Sequence, residues 1–233
     1  MDKQMINQLL EQLFEQFMTF SIEKREELPK ILVILVFLLF LVRKNRKEGI
    51  SLNVRKAKID KALDYLSDKV SYRGEYTIPK EVEKKLYQNN FNRASILMLV
   101  ASIMKHMGLP NTIPGINVYN VSNCGDVEPG RCYMYGDGQS TITINLLPEY
   151  DVNTVAAIVI HECMHHYLNV RRMKFKDKLE NEILTDTCAI YCGFGEIIYE
   201  GYRTRATYYK GENKLRSMGY LTQSEIRYIM KKL

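Results

Sequence analysis

The spacing of apolar positions changes several times along this chain, and each change predicts an element. In residues 1–20, Met5, Ile6, Leu9, Leu10, Leu13, Phe14, Phe17 and Phe20 recur at helical period. They form one broad stripe on a helix. Residues 1–27 therefore read as an amphipathic segment that could lie in a membrane interface, pair with another helix or pack on its own protein. Residues 31–42, ILVILVFLLFLV, have no polar break. Further on, residues 54–110 read as helices interrupted near Gly74 and Pro79, with ILMLVASIM inside a core helix from Arg93 to Met107. Residues 111–150 are punctuated by Gly, Pro and Asn. There Ile116 to Val121, Cys132 to Tyr135 and Thr141 to Leu146 fit short strands. Helix returns after Asp151 or Asn153 and extends to about Asn169, again from Asp177 toward Tyr199 with breaks at Gly193 and Gly195, and finally after Thr222.

The expected fold is α+β: an N-terminal amphipathic helix and short membrane anchor, then a mainly helical domain whose small sheet leads into a central helix. Residues 28–47 form the anchor and its basic flank, 54–110 a helical subdomain, and 111–233 the domain that carries the chemistry. Twelve unbroken apolar residues span about 18 Å as a helix, against about 30 Å of hydrocarbon. Three readings compete for them. A signal peptide fits poorly, because thirty residues with Glu23, Glu26 and Glu27 precede the run and no small-residue cleavage site follows. A buried soluble helix would need cover on all sides. A short anchor over 28–42, with Lys30 and Arg43 snorkelling, is the preferred expectation.

Charge sets the expected orientation. The net charge is +6, and seven Lys and Arg lie in residues 43–58 against three in 15–30. The positive-inside rule then places the C-terminal domain of a single-pass protein in the cytoplasm. The basic cluster abuts the apolar run, and no nucleic-acid motif accompanies it, so nucleic acid is not an expected partner. Five cysteines, an odd number, suit free thiols. A Cys124–Cys132 bridge is the alternative for an exported domain. The oligomeric state is not legible.

The candidate chemistry lies in Val159-Ile160-His161-Glu162-Cys163-Met164-His165-His166, which contains HExxH. On a helix, positions i and i+4 share a face, so His161 and His165 can aim two imidazoles at one ion. Glu162 stands beside them as a candidate general base. The chain has four histidines, and three fall within these six positions. Downstream, Glu182 and Asp186 are again i and i+4. Catalytic zinc takes three protein ligands and keeps one position open. Glu182 is the candidate third ligand, with Glu180 the alternative. Asp186 can accept the outer N–H of a ligating imidazole. His166 points about 100° away from His165 and is not expected to ligate. Cys163 is expected in the core, and Cys188 and Cys192 are expected to mark tight helix packing.

HECMH followed by NEILTD resembles the gluzincin metallopeptidases, the thermolysin-like group. The resemblance covers about residues 140–200. It implies a zinc ion on His161, His165 and Glu182, Glu162 as catalytic base, Asp186 behind a ligand histidine, and a peptide or protein substrate. It also implies an edge strand that pairs with extended substrate, for which Thr141 to Leu146 is the expected segment. Tyr202, Tyr208 and Tyr209 are candidates for a transition-state tyrosine. The expected function is a membrane-anchored zinc metalloprotease, a hydrolase cleaving peptide bonds by a metal-activated water. Two alternatives remain: a zinc-binding sensor or adaptor without catalysis, and a tethered interaction protein with a structural metal. Zinc follows from the ligand types, and other divalent ions can occupy such donors in vitro.

Overall fold

Side-chain caps set most of the helix starts. The computed structural model describes residues 55–122, 128–136, 138–202 and 219–233, with the backbone of 208–209 and 212–213. The chain divides into two compact units, Met1–Ala57 and Lys58–Leu233, and almost all described residues belong to the second. The helices are α1 (55–67), α2 (Lys80–Gln88), α3 (Arg93–His106), α4 (Val152–Val170), α5 (Lys178–Ala189), α6 (Gly195–Gly201) and α7 (Gln223–Met230). Asn92, Asp151 and Asp177 each accept a backbone N–H from the first turn of α3, α4 and α5. Thr222 and Glu225 make a reciprocal capping box on α7. These bonds satisfy N–H groups that have no partner inside the helix.

Three strands, β1 (Gly115–Asn120), β2 (Gly130–Met134) and β3 (Ser140–Leu146), form a sheet in the order β1-β3-β2. β1 runs parallel to β3 and β2 antiparallel to it. Two-residue strands at Tyr208–Tyr209 and Glu212–Asn213 pair separately. Along β3 every second residue is buried, so Ile142, Ile144 and Leu146 face the helices. That alternation is the period of a half-covered sheet.

Among the described residues, α4 is the central element. Of its 19 residues, 14 are buried. It packs against α2, α3, α5 and α6 and against β2 and β3. Its run Val155–Ile160 is apolar on every side because neighbours cover every side. α5 passes into α6 through a π-helical turn, Ile190–Phe194. There Gly193 has φ +93°, and a Cβ at this position would lie 1.7 Å from the Gly74 carbonyl oxygen. Only glycine permits both that backbone and that approach. The turn also sends the Gly193 carbonyl to the Tyr76 N–H at 2.9 Å. His106 packs edge-on to Tyr76 and Phe194, and its Nε2–H donates to the Cys192 carbonyl at 2.8 Å. It is a packing residue, remote from the metal-type cluster.

The membrane part of the expected fold is corrected. Among the described residues no helix is long and apolar enough to cross a membrane. The protein is a mixed, mainly helical fold with a small three-stranded sheet. The segments 1–27 and 28–47 lie outside the described residues. The apolar run 31–42 is itself about 12 Å shorter, as a helix, than the hydrocarbon. The single-pass placement and the cytoplasmic orientation that depended on it fall together.

The expected edge strand is corrected too. Thr141–Leu146 lies within β3, the central strand, bonded on both sides. β1 and β2 are the edge strands of the sheet, and β2 is the one that lines the cavity described below. Pro129 and Tyr135 bond toward the β3 side, through the Asn145 N–H to the Pro129 carbonyl and the Tyr135 N–H to the Gln139 carbonyl. By strand alternation the even residues Gly130, Cys132 and Met134 turn their backbone groups outward.

Candidate metal centre

Four elements build one cavity of about 620 Å³. α4 supplies His161, Glu162 and His165; α5 supplies Lys178 and Glu182; β2 and the segment after α6 close it. His161 and His165, one turn apart on α4, pack edge-on with ring centroids 4.8 Å apart. Glu182 comes from the facing helix. One donor atom from each of the three lies within 4.8 Å of the other two.

The separations suit a tetrahedral ion. His161 Nε2 and His165 Nε2 are 3.1 Å apart, and Glu182 Oε2 lies 3.5 Å from the first and 3.1 Å from the second. Ligands on a tetrahedral zinc with bonds of about 2.0–2.1 Å sit about 3.3–3.4 Å from one another. Hydrogen bonds fix the tautomers. His161 Nδ1–H donates to Asp186 Oδ1 at 2.7 Å. Thr185 gives its hydroxyl proton to the Asn181 carbonyl at 2.9 Å, so its oxygen can accept from His165 Nδ1–H at 3.4 Å. Both Nε2 lone pairs then face the Glu182 oxygen. Three acceptors converge with no donor between them, an arrangement that calls for a cation.

The electrostatics agree. Burial by itself would lower the His161 pKa. The charge and hydrogen bond of Asp186, with Glu182 behind them, outweigh burial and hold it well above the ordinary imidazole value. Burial would raise Glu182, yet the two imidazoles against it bring it down to about 2.

Glu162 is buried beside the three donors. Burial raises its pKa, opposed by the two histidines, and the backbone N–H of Cys132 donates to it. β2 presses closely here: a Cβ on Gly130 would lie 2.8 Å from Glu162 Oε1 and 2.8 Å from Ile158 Cγ2. Cys132 lines the cavity as a free, neutral thiol, pushed up to about 12 by burial and bonded to Ser140. Cys124, its alternative disulfide partner, lies outside the described residues.

Asp186 is fully buried and gathers the far side of the site. Oδ1 accepts from His161 and from Tyr202 Oη–H at 2.6 Å. Oδ2 accepts the backbone N–H groups of Tyr220 at 2.8 Å and Leu221 at 3.2 Å. Tyr220 is thereby set over His161, rings near-parallel at 20° and centroids 6.0 Å apart.

Glu180, the alternative ligand, points elsewhere and binds Lys61 at 2.7 Å and Lys58 at 3.6 Å. His166 leaves the site as its helical angle requires. Its Nε2–H donates to the Thr112 carbonyl at 2.6 Å and its Nδ1 accepts from Ser140 Oγ–H at 2.7 Å. Burial lowers its pKa, so it bolts α4 to the sheet as a neutral ring. Cys163 is buried in the core, and Cys188 and Cys192 are buried with sulfurs 4.0 Å apart. Tyr202 lines the cavity with its phenol committed to Asp186, and the side chains of Tyr208 and Tyr209 fall outside the described residues.

Gly130, Cys132 and Tyr220 were not among the candidates. Their only sequence signal is proximity to turn residues, and their place at the site depends on long-range packing. Comparison with family models, with curated proteins and with solved structures found no match.

Proposed function

We propose that this chain is a zinc-dependent metallopeptidase of gluzincin type that hydrolyses peptide bonds. The observation that carries the reading is the convergence of three lone pairs from His161, His165 and Glu182 beside a buried carboxylate, next to the edge strand β2. These three residues would hold the metal, and Asp186 would keep His161 in the ligating tautomer. When bound, zinc supplies Lewis-acid polarisation of water and of a carbonyl. Glu162, its pKa raised by burial, would take the proton of the attacking water and return it to the leaving nitrogen. The Cys132 N–H keeps that carboxylate in place. The outward backbone groups of β2 other than the Cys132 N–H, which Glu162 already occupies, would receive an extended peptide by strand addition. Tyr220, over His161, offers a phenol to the oxygen that gains charge.

A purely structural zinc site usually fills its fourth position with Cys or His. Here Glu162 and open cavity stand at that side, which favours catalysis over a sensor or a structural metal.

The test is Glu162→Gln, which keeps shape and touches no metal donor. Zinc content should stay near one per chain while cleavage of a peptide library falls by about 10²–10⁴-fold. Equal cleavage by the two proteins, or full zinc with no cleavage by wild type, overturns the reading.

A further inference from the structure

The cavity carries one charge that neither the metal donors nor the fold employs. Two cations stand at its rim, Arg131 on β2 and Lys178 on α5. Arg131 is spoken for: its Nε donates to Glu128 Oε2 at 2.7 Å, its Nη2 lies 2.6 Å from the same oxygen, and its guanidinium covers the Tyr133 ring. Lys178 is exposed and has no acidic partner among the described residues. The acids near it in sequence are engaged. Asp177 caps α5, and Glu180 holds Lys58 and Lys61. With a divalent ion on the three donors, the charges of Glu162 and Glu182 offset it. Glu128 offsets Arg131, and Lys178 is the cation left without a counter-charge among the residues that line the cavity.

We propose that Lys178 is a specificity-determining residue that selects a carboxylate on the substrate. The inference rests on the metallopeptidase reading and names the substrate class: peptides with an acidic group close to the bond cut. Lys178 and Glu182 are four apart on α5, so their Cβ atoms lie about 5–6 Å from each other on one face. An extended peptide advances about 3.3–3.6 Å per residue. A carboxylate one or two residues from the metal-side carbonyl therefore comes within reach of the Lys178 ammonium. The acid can be an Asp or Glu side chain or the terminal carboxylate of a short peptide; both present the same group.

Binding separates this idea from cleavage. The full chain is loaded with zinc and titrated calorimetrically with short peptides that carry a hydroxamate on the N-terminal acyl group, which bind through the metal without turnover. One pair carries Glu or Gln beside the hydroxamate; a second carries a free or amidated C-terminus at the same distance. Exposed ion pairs contribute about 0.2–1 kcal/mol, so wild type should prefer one acidic member by about 1.4–5-fold. Lys178→Met should erase the preference and Lys178→Glu should reverse it, with zinc content unchanged in both. The pair that shows the effect identifies which carboxylate is read. Equal affinities for all four ligands in wild type, or the same preference in Lys178→Glu, overturn the proposal while leaving the metal centre standing. If no hydroxamate binds the zinc-loaded chain, the metallopeptidase reading fails and takes the proposal with it.

Discussion

Asp186→Asn should weaken both the fold and the metal site, and by different amounts. The wild-type carboxylate is fully buried and accepts four hydrogen bonds, from His161, Tyr202, Tyr220 and Leu221. An amide keeps one oxygen. Its NH2 group must face either His161 and Tyr202 or the two backbone N–H groups, so two donors lose their acceptor. Hydrogen bonds to a charged partner contribute about 1.5–3 kcal/mol each. The loss is then about 3–6 kcal/mol, a large share of the 5–15 kcal/mol typical of a domain. Removing the charge behind a metal-ligating histidine typically lowers metal affinity by about 10–100-fold. The chain has no Trp, so urea unfolding is best followed by circular dichroism, with chelator present to isolate the fold term. Zinc affinity is read by competition with a chromophoric chelator. A variant within twofold of wild-type affinity and within 1 kcal/mol of its stability, as an order-of-magnitude threshold, would refute the role assigned to Asp186.

Three further outcomes follow from the same geometry. Gly130→Ala brings a Cβ to 2.8 Å from Glu162 Oε1 and should cut the proposed peptidase activity at least about tenfold with zinc retained, because misplacing the proposed base by about 1 Å is that costly; unchanged activity would mean that β2 does not set the base. His166→Ala removes the bridge between Ser140 and Thr112 and should cost about 2–4 kcal/mol in urea unfolding while zinc stays near one per chain, and a loss of metal in a folded variant would contradict its assignment as a bolt. In chelated protein, the lowered pKa of Glu182 contributes stability that is present above the ordinary value of 4.5 and is lost as pH falls toward about 2. Glu182→Gln should flatten that part of the stability–pH curve, and an identical slope in both proteins would show that Glu182 does not meet the two histidines.

The elements that local chemistry controls were legible in the chain. Asp151, Asp177 and Thr222 announce helix starts because a short polar side chain can reach the N–H groups of the first turn, and all three act as caps. The pairing of His161 with His165, and of Glu182 with Asp186, follows from helical period, which needs no knowledge of the rest of the fold. Two facing pairs implied a site before any contact was known. What stayed hidden depends on distant partners. Thr141–Leu146 reads as a strand whatever its neighbours, but only the pairing of β1 and β2 on its two sides makes it central and leaves those two as the edges. An unbroken apolar run looks alike in a bilayer and in a core, since both reward the same transfer from water, and period cannot separate them. Tyr220 comes to His161 because Asp186, 34 residues earlier, offers its second oxygen to the Tyr220 backbone N–H. Backbone groups are the same in every residue, so no side-chain pattern could mark that bond in advance.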